Sequence, residues 1–219
     1  MLVGLGLAAG VVVTLLAAGF ETSDPAVMFG SALGLWTGLL GSCIVAVHRK
    51  GSGSLKDLGL TRLRWVDAAQ GLGLGIAMVF AVGIVAKVFE SLAPDLTPTG
   101  ADDVLGPIAD SGALGTVVIV VVAVVGAPFF EELFFRGLVQ GGVVARWGIT
   151  IGLFVQAALF ALMHVSPDEG WGNVGIFAMI LTVGLCLGAI RHKAHRLGPA
   201  LFAHAVYNAA IVTLALFVI

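Results

Sequence analysis

Apolar residues run along this chain in stretches near the length of a membrane crossing, separated by short polar breaks, at 2–19, 27–48, 68–89, 113–139, 149–165, 173–190 and 198–218. An α-helix needs about 20 residues to cross roughly 30 Å of hydrocarbon, and it satisfies its backbone groups within one segment. A membrane barrel would instead show segments of about ten residues with alternating hydrophobicity. The pattern predicts an all-α, polytopic transmembrane helical bundle of about seven spans. An eighth span has two candidate places. The segment 92–112 contains Pro94, Pro98 and Pro107, which oppose a continuous helix, and 50–66 is basic and amphipathic, better suited to a helix lying on the membrane surface over 55–66. No soluble domain or clear repeat interrupts the runs. The expected organisation is one membrane domain over 1–219, with supporting spans in 1–112 and the chemistry in 113–219.

Composition agrees with the runs. Apolar residues make up 59% of the chain and charged residues 11%, less than half the share in an average soluble domain. Mean hydropathy is +1.08. Such a chain cannot cover itself with a water-soluble surface, and nothing in it supports nucleic-acid binding. The first run lacks the basic start of a signal peptide and reads as a retained span. Cys43 and Cys186 lie inside apolar runs, where free cysteines pack as small hydrophobes.

The few charges sort by side. Arg49, Lys50, Lys56, Arg62 and Arg64 follow the second run, Arg146 the fourth, and Arg191, Lys193 and Arg196 the sixth. The alternate loops carry Glu21, Asp24, Glu90, Asp95, Asp102, Asp103, Asp110, Asp168 and Glu169, with Lys87 the one basic residue at that side. The positive-inside rule then places the N-terminus in the cytoplasm and, for seven spans, the C-terminus outside. A prokaryotic cytoplasmic membrane is the expected location. Gly30, Gly34 and Gly38, and again Gly71 and Gly75, recur at four-residue spacing and predict faces where helices approach closely.

Against this apolar background, polar groups in the second half stand out. An ionisable side chain within a span costs roughly 2.5 kcal/mol or more and calls for a partner, water or a function. Glu131 and Glu132 follow a long apolar run, His164 ends the fifth run, and His204 and Asn208 lie in the seventh. Neighbours on a helix point about 100° apart, so Glu131 and Glu132 serve different purposes. Arg136 stands four residues after Glu132, in the favourable acid-first order for a structural pair, and Glu131 remains for chemistry. Phe160 shares the face of His164, and Pro128 is expected to kink the helix before Glu131.

A turn at Trp147-Gly148 would fold the fourth and fifth runs into an antiparallel hairpin. Glu131 precedes Trp147 by 16 residues and His164 follows Gly148 by 16, so the hairpin brings them level, about 24 Å from the turn. Counted from the membrane, however, His164 lies near the far end of its run, while Glu131 and His204 lie towards the basic side. The two positions agree only if the tip around Arg146 projects past the bilayer.

With Glu131, Glu132 and Arg136 as EExxxR, Phe160 and His164 as FxxxH, and His204 and Asn208 as HxxxN, the chain resembles the CPBP family of CAAX-protease and bacteriocin-processing intramembrane enzymes, which includes the type II prenyl-protein endopeptidases. The resemblance covers about 129–210. It implies a glutamate-dependent endopeptidase needing neither metal nor other cofactor. In that scheme Glu131, aided by His164, activates water, and His204 and Asn208 stabilise the oxyanion. Glu132, Arg136 and Phe160 support the site. The implied partners are the lipid bilayer and a membrane protein or lipidated peptide as substrate.

Two other uses of the same groups remain open. Two histidines and a glutamate are legitimate zinc ligands, although the chain has no HExxH and His164 and His204 are 40 residues apart. A non-enzymatic membrane scaffold or a proton-coupled carrier could also use these groups for packing or relay.

Overall fold

A computed structural model describes residues 2–218. Its elements are α1 (Leu2–Ala17), α2 (Pro25–Lys50), α3 (Trp65–Leu92), α4 (Ala101–Ala109), α5 (Ala113–Ile119), α6 (Ala127–Glu131), α7 (Gln140–Leu162), α8 (Asn173–Ala194) and α9 (Gly198–Phe217). Wide π turns over Val120–Gly126 and Glu132–Val139 join α5, α6 and α7 into one helical segment. No strand occurs among the described residues. Among the described residues five stretches are long and apolar enough to cross a membrane, and the 50-residue one, Ala113–Leu162, turns back within α7 at Gly148. Its two arms, the four other stretches and the shorter α1 make up the helical bundle that the hydropathy pattern predicts.

Neither candidate for an eighth span supplies one. In 92–112 the longest helix is the nine-residue α4, far short of the bilayer thickness. The surface helix expected over 55–66 is absent. A single 3-10 turn, Leu55–Leu58, ends at Gly59, whose φ of +87° lies in the left-handed region, and the chain then runs without regular secondary structure to Arg64.

The chain divides into two compact units. Among the described residues the first comprises 2–57, 100–134 and 208–218. Here α1 and α2 lie in close contact through glycines: a Cβ on Gly34 would fall 2.7 Å from the backbone nitrogen of Ala8, and one on Gly38 would fall 2.1 Å from the Cα of Gly4. The strip of small residues read from the sequence is thus a backbone-to-backbone seam. Elsewhere in this unit Ile108, Ile119 and Val212 form a buried cluster, joining α4, α5 and the end of α9.

The second unit comprises 58–99 and 135–207. Gly71 and Gly75 let α3 approach α9, since Cβ atoms there would come within 2.3 Å of the Phe202 Cβ and 2.6 Å of a Val206 methyl. On α3, Leu72, Ile76, Phe80, Ile84 and Val88 repeat every four residues and are all exposed. Such a stripe suits hydrocarbon, not water. Within the span interiors Gln140 and Gln156 donate to the carbonyls of Gly188 and Gly184 at 2.9 and 2.8 Å, fastening the two arms of α7 to α8. These long apolar helices are those of an integral membrane protein.

Candidate active site

In the first unit Pro128 and Asn208 turn out to be linked. The helix does not carry an α-pattern into Pro128; it widens, and the Ala127 N–H reaches back five residues to the carbonyl of Val122. The same pattern would pair the Ala123 carbonyl with the nitrogen of residue 128, which is proline and has no N–H. Asn208 fills that vacancy, donating from Nδ2 to the Ala123 oxygen at 2.8 Å. One of the two amide N–H groups is thereby committed and the plane of the side chain is set. The disruption expected at Pro128 takes the form of this wide turn, with the orphaned carbonyl satisfied by Asn208.

Glu131 closes α6 and is partly buried, whereas Glu132 is fully buried. The two adjacent carboxylates therefore differ in environment, as their angular separation requires. Residues 132–137 are buried without interruption, so this stretch is enclosed on every side. In front of the glutamates, Phe130 stacks on Trp36 with ring centroids 4.8 Å apart, and Phe129 meets Phe130 edge-on at 5.1 Å. Gly126 leaves room for the indole, because a Cβ there would lie 2.1 Å from Trp36.

In the second unit Phe160 is a hub. The guanidinium carbon of Arg136 lies 4.2 Å from its ring centroid, and the rings of Phe135, His164 and His204 stand at 5.2, 4.7 and 5.7 Å. A cation over an aromatic face in a water-poor interior is worth about 2 kcal/mol. Phe160 is 1% exposed, and Arg136 is fully buried. The part expected of Phe160 from sequence was packing; in the fold its ring also brings a cation and both histidines together.

His164 lies just past the end of α7 and is exposed. Its Nδ1 is 2.9 Å from the Phe160 carbonyl oxygen. A carbonyl only accepts, so Nδ1 carries the hydrogen of that bond, and in the neutral imidazole Nε2 then keeps its lone pair. That is the tautomer of an imidazole able to take a proton. His204, by contrast, is 3% exposed.

The hairpin register can be read within this unit. Gly148, with φ of +83° and ψ of 173°, is the turn. A Cβ on Gly152 would lie 2.3 Å from a Val144 methyl, and Phe135 and Arg136 are level with Phe160. Arg136 is thus about 18 Å from the turn, and His204 about 9 Å from the start of α9. Both meet Phe160, so the tip, with Arg146 and an exposed Trp147, projects about two helical turns past the start of α9.

Three buried polar residues escaped the sequence reading. Asp67 is fully buried at the start of α3, accepts from Arg196 Nε at 2.7 Å and caps its helix by accepting from the Arg64 N–H at 3.0 Å. Gln140 and Gln156 lie one turn from Arg136 and Phe160. The signal available for both was the one used for the histidines, a polar residue within an apolar run, and they are equally spaced about Gly148.

Among the described residues no group of three His, Cys, Asp or Glu side chains is placed to hold a metal ion. Residues 113–210 match the Rce1-like family, whose description is type II CAAX prenyl endopeptidase. This bears out the resemblance carried by the three motifs, all of which lie inside the matched segment. The match spans 98 of the 219 residues, and the family so described is one of endopeptidases. No curated protein and no solved structure matches the chain.

Proposed function

We propose that this protein is an intramembrane, glutamate-dependent endopeptidase that hydrolyses a peptide bond in a membrane-associated protein or lipidated peptide. The observation that carries the reading is the Phe160 hub, which holds His164 and His204 at one ring inside the matched segment. The hairpin register, read between Arg136 and Phe160, supports it further.

Glu131 is the general base. It removes a proton from water as the oxygen attacks the scissile carbonyl carbon, and Nε2 of His164 assists by holding and relaying that proton. The carbonyl oxygen becomes an oxyanion, stabilised by a ring N–H of His204 and by the Asn208 N–H not given to Ala123. Preorganised donors of this kind gain strength in a water-poor site. Collapse of the tetrahedral intermediate expels the amine, which leaves with the proton first taken from water. Glu132, Arg136 and Phe160 hold the helices in register. No metal enters these steps, and 113–219 is the catalytic core while 1–112 supports it.

The distribution of Lys and Arg supports a cytoplasmic N-terminus and an outward C-terminus in a prokaryotic cytoplasmic membrane. The test is cleavage by purified protein in lipid nanodiscs of a panel of membrane-anchored peptides, prenylated and unprenylated, with and without strong chelators. Chelator-resistant cleavage products are expected in mass spectra. Cleavage abolished by chelation and restored by zinc would transfer the chemistry to a metalloprotease. Absence of cleavage across the panel with a folded protein would favour the scaffold or carrier.

A further inference from the structure

We infer that the second unit carries an ordered basic ledge that binds the headgroups of anionic phospholipids. The ledge is built from two segments that contain no exposed carboxylate, 58–66 and 191–198. Three bonds tie them together: Leu197 N–H donates to the Gly59 carbonyl at 2.9 Å, Arg191 donates to the Leu58 carbonyl at 3.3 Å, and Arg196 pairs with buried Asp67. Asp67 thus neutralises Arg196 and fixes the ledge, and Arg62, Arg64 and Lys193 stay exposed with His192 and His195 beside Lys193.

The position of these cations identifies the occupant. The ledge joins the start of α3, the end of α8 and the start of α9, three helix ends at the edge of the bilayer. Arg62, Leu63 and Arg64 lead directly into Trp65, the first residue of α3, which is 93% exposed. An exposed indole beside arginines at a helix start is the arrangement that settles at the headgroup level, with the ring in the interface and guanidinium groups on phosphate. An acidic soluble partner would match the charges but leave Leu63, Trp65 and Val66 in water. Arginine adds bidentate recognition of phosphate.

The experiment exchanges the detergent-purified protein into mixed micelles of phosphatidylglycerol and phosphatidylcholine and counts retained lipids by native mass spectrometry. Wild type should retain phosphatidylglycerol preferentially, in a salt-sensitive manner. The triple variant Arg62→Gln, Arg64→Gln, Lys193→Gln should lose the preference, each lost charge weakening retention about fivefold. The charge-conserving Arg62→Lys, Arg64→Lys should keep most of it, and Lys87→Gln, on an exposed residue outside the ledge, should keep all of it. Equal retention of both lipids by wild type, or an undiminished preference in a triple variant with unchanged thermal unfolding, overturns the proposal. Displacement of the lipid by inorganic phosphate alone also overturns it, by assigning the ledge to free anions.

Discussion

Asn208 donates its side-chain N–H to the Ala123 carbonyl, the backbone acceptor that Pro128 leaves without a donor. Asn208→Leu should cost about 0.6–1.7 kcal/mol in unfolding free energy, the range for hydrogen bonds between membrane helices. Pro128→Ala supplies a backbone N–H, so the loss on Asn208→Leu should be smaller in that background. A double-mutant cycle on unfolding in micelles measures the coupling. Additive losses would break the link between the proline and the asparagine.

Phe160 carries more than its own burial. Phe160→Ala should destabilise by about 3–5 kcal/mol, as for other buried phenylalanines, and Phe160→Leu by less. Arg136→Lys keeps the charge but loses the planar stack on the ring, so it too should lower stability. Thermal unfolding of the three variants orders the effects. A Phe160→Ala protein as stable as wild type would remove the hub from the account.

The glycines divide by what surrounds them. Gly34→Leu would drive a side chain into the backbone of α1 and should cost at least about 1–3 kcal/mol. Gly6→Leu and Gly10→Leu enter open space and should stay within about 0.5 kcal/mol of wild type. Unfolding midpoints of the three proteins test the seam, and equal midpoints would contradict it.

Local physics made much of this legible in the sequence. Apolar runs marked the helices because crossing hydrocarbon sets their length, glycines at four-residue spacing marked close faces, and Trp147-Gly148 marked the turn that sets the hairpin register. What could not be read depends on contacts distant in sequence. The wide turns at Val120–Gly126 and Glu132–Val139 have no period of their own, and the first is stabilised by Asn208, 85 residues away. The helix expected over 55–66 ignored Gly59 and the bond its carbonyl makes to Leu197. Nothing local marks Asp67 as the buried half of an ion pair, because its partner Arg196 follows 129 residues later.

A pH effect is expected at the exposed turn after α2. Asp57 accepts from the Ser52 N–H at 2.7 Å and from its hydroxyl at 2.8 Å, and these bonds, the hydroxyl's foremost, hold its carboxyl below the usual range. A lowered folded-state pKa means the stabilisation is full above the unfolded value and is lost as pH falls through the folded one. The Ser52 amide, corrected for intrinsic exchange, should therefore lose protection in strong acid, and Asp57→Asn should show low protection at neutral pH as well. Protection independent of pH would contradict this.

The two adjacent glutamates decide the central claim, and the direct measurement compares cleavage of one membrane-anchored peptide by wild type, Glu131→Gln and Glu132→Gln, with unfolding of each followed in the same lipid. Glu131→Gln is predicted to keep its unfolding temperature while cleavage falls about 10²–10⁴-fold, the usual contribution of a general base. Glu132→Gln, which alters a fully buried carboxylate, is predicted to lower stability as well as activity. Wild-type cleavage by a folded Glu131→Gln protein would contradict the account.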